Sequence, residues 1–368
     1  KNIFLNIKPV FNAVSLQMGT TLTHDSGESY ALDHFDYYVS DVIITHDGGQ
    51  VSNPLDDVYI VEPDNHTLYL GFLSIENIEQ AIHNAGYDTV RIGHAQSLMK
   101  ALLNGEKWDL VFNIAEGLYG EGRESLVPAL LDSYKIPYVF SGPVTLGISL
   151  NKAFAKQIVR ESGVNTPAFH VVSKAEDISK INLEYPLFAK PISEGTGKGI
   201  DTKSFINSEE ELKKVCTYLL SQFHQPVLVE EYLPGREFTV GVIGTGENAF
   251  VPGAMEIVYN ENTHNFYSYD NKENYVGRIN YVAVGGDLLE QCTEVALNAW
   301  KALNCFDGGR VDVKIDRFGK MSFIEVNPLA GLNAEISDLP ILCGLNNFSY
   351  QQLINEILKS AINRNLNK

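Results

Sequence analysis

The stretch "GGRVDVKIDRFGKMSFIEVNP", residues 308–328, decides how the rest of the chain is read. In its first half Val311, Val313 and Ile315 fall on one face of a strand, and Arg310, Asp312 and Lys314 on the other. In its second half Ile324 and Val326 oppose Glu325 and Asn327. The Asp and Gly of "DRFGK" suit a short hairpin loop. With a connection of about four residues, Asp312 pairs across from Glu325 and Arg310 across from Asn327. Like charges directly opposite each other destabilise a sheet by a few tenths to about 1 kcal/mol. A cation between them reverses that sign. Two carboxylates and an amide oxygen, with no thiol or imidazole, suit Mg2+ or Mn2+ rather than Zn2+. The plainer reading is a solvated polar face in which Arg310 and Lys314 neutralise the acids.

The bulk composition narrows the function classes. With 368 residues, 44% of them hydrophobic, the chain is globular and long enough for two or three domains. Acidic residues outnumber basic ones 46 to 28, for a net charge of −18, which argues against nucleic acid or an anionic membrane as the main partner. Any phosphate ligand must then be met by locally placed cations. Cys216, Cys292, Cys305 and Cys343 show no metal-binding spacing and read as reduced thiols of a cytoplasmic protein. The stretch "VFNAVSLQMGTTL" is too short and too polar to span a bilayer.

Along the chain, "NIFLNIKPV" reads as a strand and "SIENIEQAIHNAG" as a helix ending at Gly86. Residues 12–70 lie between them as an insertion too rich in aromatic and aliphatic residues for disorder, with strand-like "YYVSDVIIT" and "DDVYIVEP". Strands at "YDTVRIG", "WDLVFNIAE" and "PYVFSG" alternate with helices, which indicates a parallel sheet over 1–142. From Pro143 a single long helical pattern runs to Gly163. The following strands "AFHVV", "YPLFAKPI" and "IDTKSFI", a helix with a capping box at Ser208 and Glu211, and the strands "VLVEEYL" and "EFTVGVIG" make an α+β block over 143–245. The remainder, 246–368, holds the opening hairpin between helices. The fold class is therefore α/β and α+β combined.

Several stretches carry chemistry. "AKPISEGTGKGI" sets Lys190 at the end of a strand, followed by Gly195, Gly197 and Gly199, where backbone N–H groups can approach a polyphosphate and Thr196 and Lys198 add donors. It matches neither the P-loop nor the dinucleotide-binding pattern, and a mobile turn is the rival reading. In "VLVEEYLPGREFTV", Glu230, Glu231 and Glu237 can accept hydrogen bonds from an amine or from sugar hydroxyls; surface glutamates are the rival. Lys152 and Lys272, taken singly, read as solvated charges. No HExxH pair or GxSxG elbow occurs. His24, His34, His46 and His66 all fall within 12–70, where a second metal site competes with exposed loop histidines.

Taken in order, Lys152, Lys190 with its glycines, "VEEYLPGREFTV", Lys272, and then Arg310, Asp312, Glu325 and Asn327 resemble an ATP-grasp enzyme. "FNIAEGLYGEGRESLVPALLDSYKIPYVFSGPVTLGISLNK" is similar to the D-alanine:D-alanine ligase branch, and the likeness covers roughly residues 72–345. The resemblance implies that two ATP-grasp subdomains, 143–245 and 246–368, sandwich the nucleotide. It implies ATP phosphates on Lys152 and Lys190, Thr196 in a lid loop, adenine against Glu230, Glu231 and Leu233, and ribose at Glu237. Asp312, Glu325 and Asn327 would hold two Mg2+ ions, with Mn2+ as the alternative. Arg310 would stabilise the transferring phosphoryl group and the later tetrahedral intermediate, and Lys272 and Thr196 would join it as catalytic residues. The implied activity is an ATP-dependent carboxylate–amine ligase that forms an amide through an acylphosphate and releases ADP and phosphate. Its partners would be small amino acids or amines, with a homodimer left open.

Departures from the family put the substrates in question. Thr196 replaces a serine, Lys272 is followed by Glu273 rather than Tyr, and the insertion occupies the place of a substrate-positioning glutamate. In "LNAEISDLP", Glu335 and Asp338 are expected to repel a second substrate's carboxylate. D-alanyl-D-alanine synthesis proper and a non-catalytic nucleotide-binding protein are the alternatives.

Overall fold

The computed structural model describes residues 74–117, 119–195, 197–259 and 279–365, and the backbone of 3–6, 21–24, 29–31, 42–44, 66–73 and 366. Thr196, Lys272, Glu273 and most of the 12–70 segment, including "DDVYIVEP", lie outside the described residues.

The chain opens with strand β1 (Ile3–Asn6). Pro9–Asn77 forms a compact unit of its own, with an antiparallel sheet of β2 (Thr21–His24), β3 (Ser29–Ala31) and β4 (Val42–Ile44) in the order β3-β2-β4. Helix α1 (His66–Asn84) begins well before the expected "SIENIEQ" and terminates near Gly86, whose φ of 87° needs no Cβ relief. Then come β5 (Arg91–Gly93), α2 (Ala95–Leu103), β6 (Leu110–Asn113) and α3 (Leu126–Ser133). β1 lies between β5 and β6, and both pairings are parallel. The expected strand at "PYVFSG" contributes a single parallel bridge, Tyr138 to Val111. Leu98, Leu102, Val111, Leu131 and Tyr138 form the core here.

Residues 143–163 break the single helix expected of them into α4 (Pro143–Leu150) and α5 (Lys152–Glu161). The apolar period continues through the break, but Asn151 leaves the helical region with ψ 99°, and its Oδ1 accepts from Ala153 N and Phe154 N. A side-chain cap therefore restarts the helix. The break also lets Lys152 N donate to Ile192 O, 3.1 Å away.

β7 (Phe169–Val172), β8 (Leu187–Pro191), β9 (Phe205–Ile206), α6 (Glu209–Phe223) and β10 (Val227–Glu231) follow. The sheet order is β7-β10-β8-β9, antiparallel throughout. Ser208 Oγ accepts from Glu211 N, while Glu211 Oε2 accepts from Asn207 N, one residue ahead of a strict capping box. The expected strand "IDTKSFI" shortens to Phe205–Ile206, because Asp201 takes Lys203 N and winds Thr202–Ser204 into a 3-10 turn.

The last layer contains β11 (Glu237–Ile243), β12 (Ala254–Tyr259), β13 (Ile279–Ala283), α7 (Gly286–Ala302), β14 (Gly308–Ile315), β15 (Met321–Asn327), α8 (Asp338–Leu345) and α9 (Tyr350–Leu366). Its antiparallel sheet runs β13-β12-β11-β14-β15, so β11 hydrogen-bonds across the expected boundary at 245. Phe238, Val240, Val311, Val313, Phe323 and Val326 pack on α7 through Ala296 and Trp300 and on α5 through Ala155 and Val159. Trp300 leaves no room for a side chain at residue 309: a Cβ on Gly309 would sit 2.7 Å from its Cη2.

Asp307 ties the layers together. It is fully buried; its Oδ2 accepts from Phe140 N (2.8 Å) and Arg364 Nη2 (2.7 Å), and its Oδ1 from Ser360 Oγ (2.8 Å). Arg364 also donates to the carbonyls of Tyr138 and Phe140. Among the described residues no helix is long and apolar enough to cross a membrane.

Candidate active site

The hairpin keeps the register expected of it by a different route. Asp312 faces Glu325 and Arg310 faces Asn327, but the loop is tighter than four residues: Asp316 N donates to Lys320 O, and Gly319 adopts φ 79°. A bulge between Asp312 and Val313 restores the alignment, with Val313 opposite Phe323 and Ile324 as the additional residue. The bulge also turns Ile324 away from the core side, so that Ile324 and Glu325 both line the same cleft. The strict alternation expected for β15 fails there.

That cleft lies between the four-stranded and five-stranded sheets. It is open to solvent and takes its lining from both sheets. Of the residues singled out in the sequence, Lys152, Lys190, Gly197, Glu230, Glu231, Leu233, Glu237, Arg310, Asp312 and Glu325 line it. Asn327 stands beside it, its Nδ2 donating to Asp312 Oδ2 (3.3 Å), whereas Gly195 is not among the lining residues. Phe188, Ile200, Tyr232 and Lys314 also line the cleft.

The lysines are held by acids. Lys152, placed by the start of α5, donates to Glu194 O and stands 3.5 Å from Glu325 Oε2. Lys190, at the end of β8, lies 2.9 Å from Glu230 Oε1, and Glu230 Oε2 lies 2.9 Å from Lys156 Nζ. Lys156 is 0% exposed and also donates to Thr166 Oγ1 (3.1 Å) and Phe323 O (3.4 Å). Burial pushes the Lys156 ammonium down to about 8, with Glu230 opposing the shift. Burial works to raise the Glu230 carboxyl, but Lys156 and Lys190 outweigh it and hold it at about 2. Glu230 is thus a buried counter-ion rather than a surface glutamate. Lys156 escaped the sequence reading, although its spacing of four from Lys152 puts both on one helix face.

The acids on the hairpin split. Burial raises the Asp312 carboxyl to about 6; Arg310 opposes this while Glu325 and Asp338 add to it. Glu325 is partly buried, and desolvation works to raise it, yet Lys152, Lys190 and Arg310 hold it at about 2. Thr239, opposite Asp312 on β11, donates to Asp312 Oδ1 (2.9 Å). Two crowded carboxylates and the Oδ1 of Asn327, whose Nδ2 is turned toward Asp312, form an all-oxygen donor set that fits Mg2+.

Lys314 does not neutralise these acids. It pairs with Glu237, its cross-strand neighbour, at 2.9 Å. Asp338 is likewise not poised to repel a ligand: it is 2% exposed, and its Oδ2 lies 3.4 Å from Arg310 Nη1. Arg310 is thereby set between Asp338 and Asp312, 3.4 Å from each. Glu335, by contrast, is exposed.

The profile described as "D-ala D-ala ligase C-terminus" matches residues 158–359. The chain belongs to the D-alanine–D-alanine ligase family. A D-alanine–D-alanine ligase of Aquifex aeolicus is 30% identical over 286 residues, 76% of this chain and 92% of that protein. An uncharacterized protein of Sinorhizobium fredii is 27% identical over 301 residues, 78% of this chain and 87% of that protein. The crystal structure of D-alanine–D-alanine ligase from Bacillus anthracis complexed with ATP superposes with a TM-score of 0.62 at 23% identity, covering 81% of this chain and 94% of that one. This member of the D-alanine–D-alanine ligase family therefore has the ATP-grasp fold and is an ATP-dependent, ADP-forming ligase of small molecules.

Proposed function

We propose that the cleft binds ATP with its phosphates between Lys152 and Lys190 on one side and the Asp312–Glu325–Asn327 set on the other. The cross-strand register of Arg310 with Asn327 and Asp312 with Glu325, facing Lys152 3.5 Å away, carries this reading. Phe188, Ile200, Tyr232 and Leu233 supply apolar walls for the base, with Glu230 and Glu231 at its edge and Glu237 at the ribose. Asp312, Glu325 and Asn327 would hold Mg2+, which when bound supplies charge neutralisation at the transferring phosphoryl group.

The chain's own residues orient the reactants. Arg310, steadied by Asp338 and Asp312, donates to the phosphoryl oxygens as a substrate carboxylate attacks, and then to the oxyanion formed when an amine displaces phosphate. Lys152 and Lys190 hold the remaining phosphate charge. The product is an amide made from a carboxylate and an amino acid or amine, with D-alanyl-D-alanine one candidate among others. The four free, buried cysteines support a reducing, cytoplasmic setting.

Release of ADP measured against a panel of L- and D-amino acids, amines and hydroxy acids tests this reading. Amide formation dependent on Mg2+ is expected with at least one carboxylate–amine pair. Stoichiometric AMP release in its place would remove the acylphosphate route.

A further inference from the structure

Glu237 opens β11 at the cleft, and its two carboxylate oxygens are used unequally. Oε2 lies 2.9 Å from Lys314 Nζ and accepts from Tyr259 Oη, also at 2.9 Å. Among the described residues no donor reaches Oε1. The arrangement is built into the sheet: Lys314 is directly opposite Glu237 on β14, and Tyr259 lies two residues beyond Ile257, the partner of Glu237 on β12. Lys314 is buried, and its ammonium also lies over the Tyr232 ring, 5.5 Å from the centroid, so both side chains are fixed from more than one direction.

A carboxylate oxygen offers two lone-pair sites, and both sites of Oε2 are filled from within the protein. A vicinal diol grips a carboxylate by giving one hydrogen to each oxygen, and here the second oxygen is already taken. We propose that Lys314 and Tyr259 are positioning residues that occupy Glu237 Oε2, so that the cleft reads one hydroxyl of the ribose through Oε1 rather than both. The inference rests on the assignment of the cleft to ATP. It adds a selectivity that neither the hairpin nor the phosphate-binding lysines supply: the two ribose hydroxyls are unequal in this enzyme.

The test is titration calorimetry of the full chain with Mg2+ and ATP, 2′-deoxy-ATP or 3′-deoxy-ATP. One deoxy analogue should bind about tenfold more weakly than ATP, the loss of one hydrogen bond to a charged group, and the other within twofold. In Lys314→Met/Tyr259→Phe, where Oε2 is released, the analogue that was indifferent should lose at least threefold against ATP. Tyr259→Phe alone should move it in the same direction, which keeps the test available if the double variant does not fold. Equal loss for both analogues in the wild type, or no loss for either, overturns this inference alone. Failure of the wild type to bind ATP overturns the nucleotide assignment and this inference with it.

Discussion

Lys156 Nζ lies 2.9 Å from Glu230 Oε2 with both side chains out of solvent, and the same glutamate reaches Lys190 with its other oxygen. The pair spans the two sheets that form the cleft, because Lys156 also donates to Phe323 O on β15. Removing one partner strands a buried charge. Lys156→Met is expected to cost about 3–5 kcal/mol of stability, read from the urea midpoint. Adding Glu230→Gln should return part of that loss, and strictly additive losses would mean that the pair is not coupled.

Acid should reveal the same cluster. The Glu230 carboxyl is held near 2 in the fold, below its ordinary value, so the unfolded chain binds its proton first. Its contribution is therefore fully present above about pH 4.5 and is lost as the pH falls toward 2. Thermal melts of wild type and Glu230→Gln between pH 6 and 2.5 should converge toward the acid end, the variant being the less stable at pH 6. Parallel curves would contradict the depressed value.

Glu325→Ala should abolish ATP turnover while the circular dichroism spectrum stays that of wild type. A loss of at least about 10²-fold, roughly 3 kcal/mol, is expected for removing one stabiliser of transition-state charge. Turnover within threefold of wild type would remove Glu325 from the metal-binding set.

Lys190→Ala should weaken ATP far more than AMP, because the contact proposed for the ammonium is with phosphate rather than base. Competition of the two nucleotides for a fluorescent analogue measures the ratio. Equal weakening would make Lys190 a structural partner of Glu230 only.

Asn151→Ala removes the cap that restarts the helix at Lys152 and should cost about 1 kcal/mol. Because the break also places Lys152, KM for ATP should rise with it. A stability loss with unchanged KM would separate the cap from the site.

The parts of this molecule that were legible in the sequence are those set by local alternation. Residues 308–328 fix which side chains face the cleft, and the expected pairing of Asp312 with Glu325 survives a tighter loop because a bulge compensates. Of the glycines after Lys190, Gly197 reaches the cleft wall and Gly195 does not. What stayed hidden depends on contacts distant in the chain or on one backbone angle. Lys156 and Glu230 are 74 residues apart, and nothing in either segment announces the other. Asp338 looked like a barrier to ligands because its partner, Arg310, comes from a strand 28 residues earlier in the chain. The helix break at Asn151 was masked by an apolar period that runs straight through it.

The Asp307 cluster changes how the last turns of the chain should be regarded. Arg364 neutralises a carboxylate at the junction of three layers and Ser360 donates a hydrogen bond to it, so a chain ending before Ser360 would lose a counter-charge rather than a dispensable tail. Such a product would carry an unmatched anion in its interior and should be recognised by quality-control proteases as unfinished. Fusions and tags joined after this helix, in contrast, leave the junction whole.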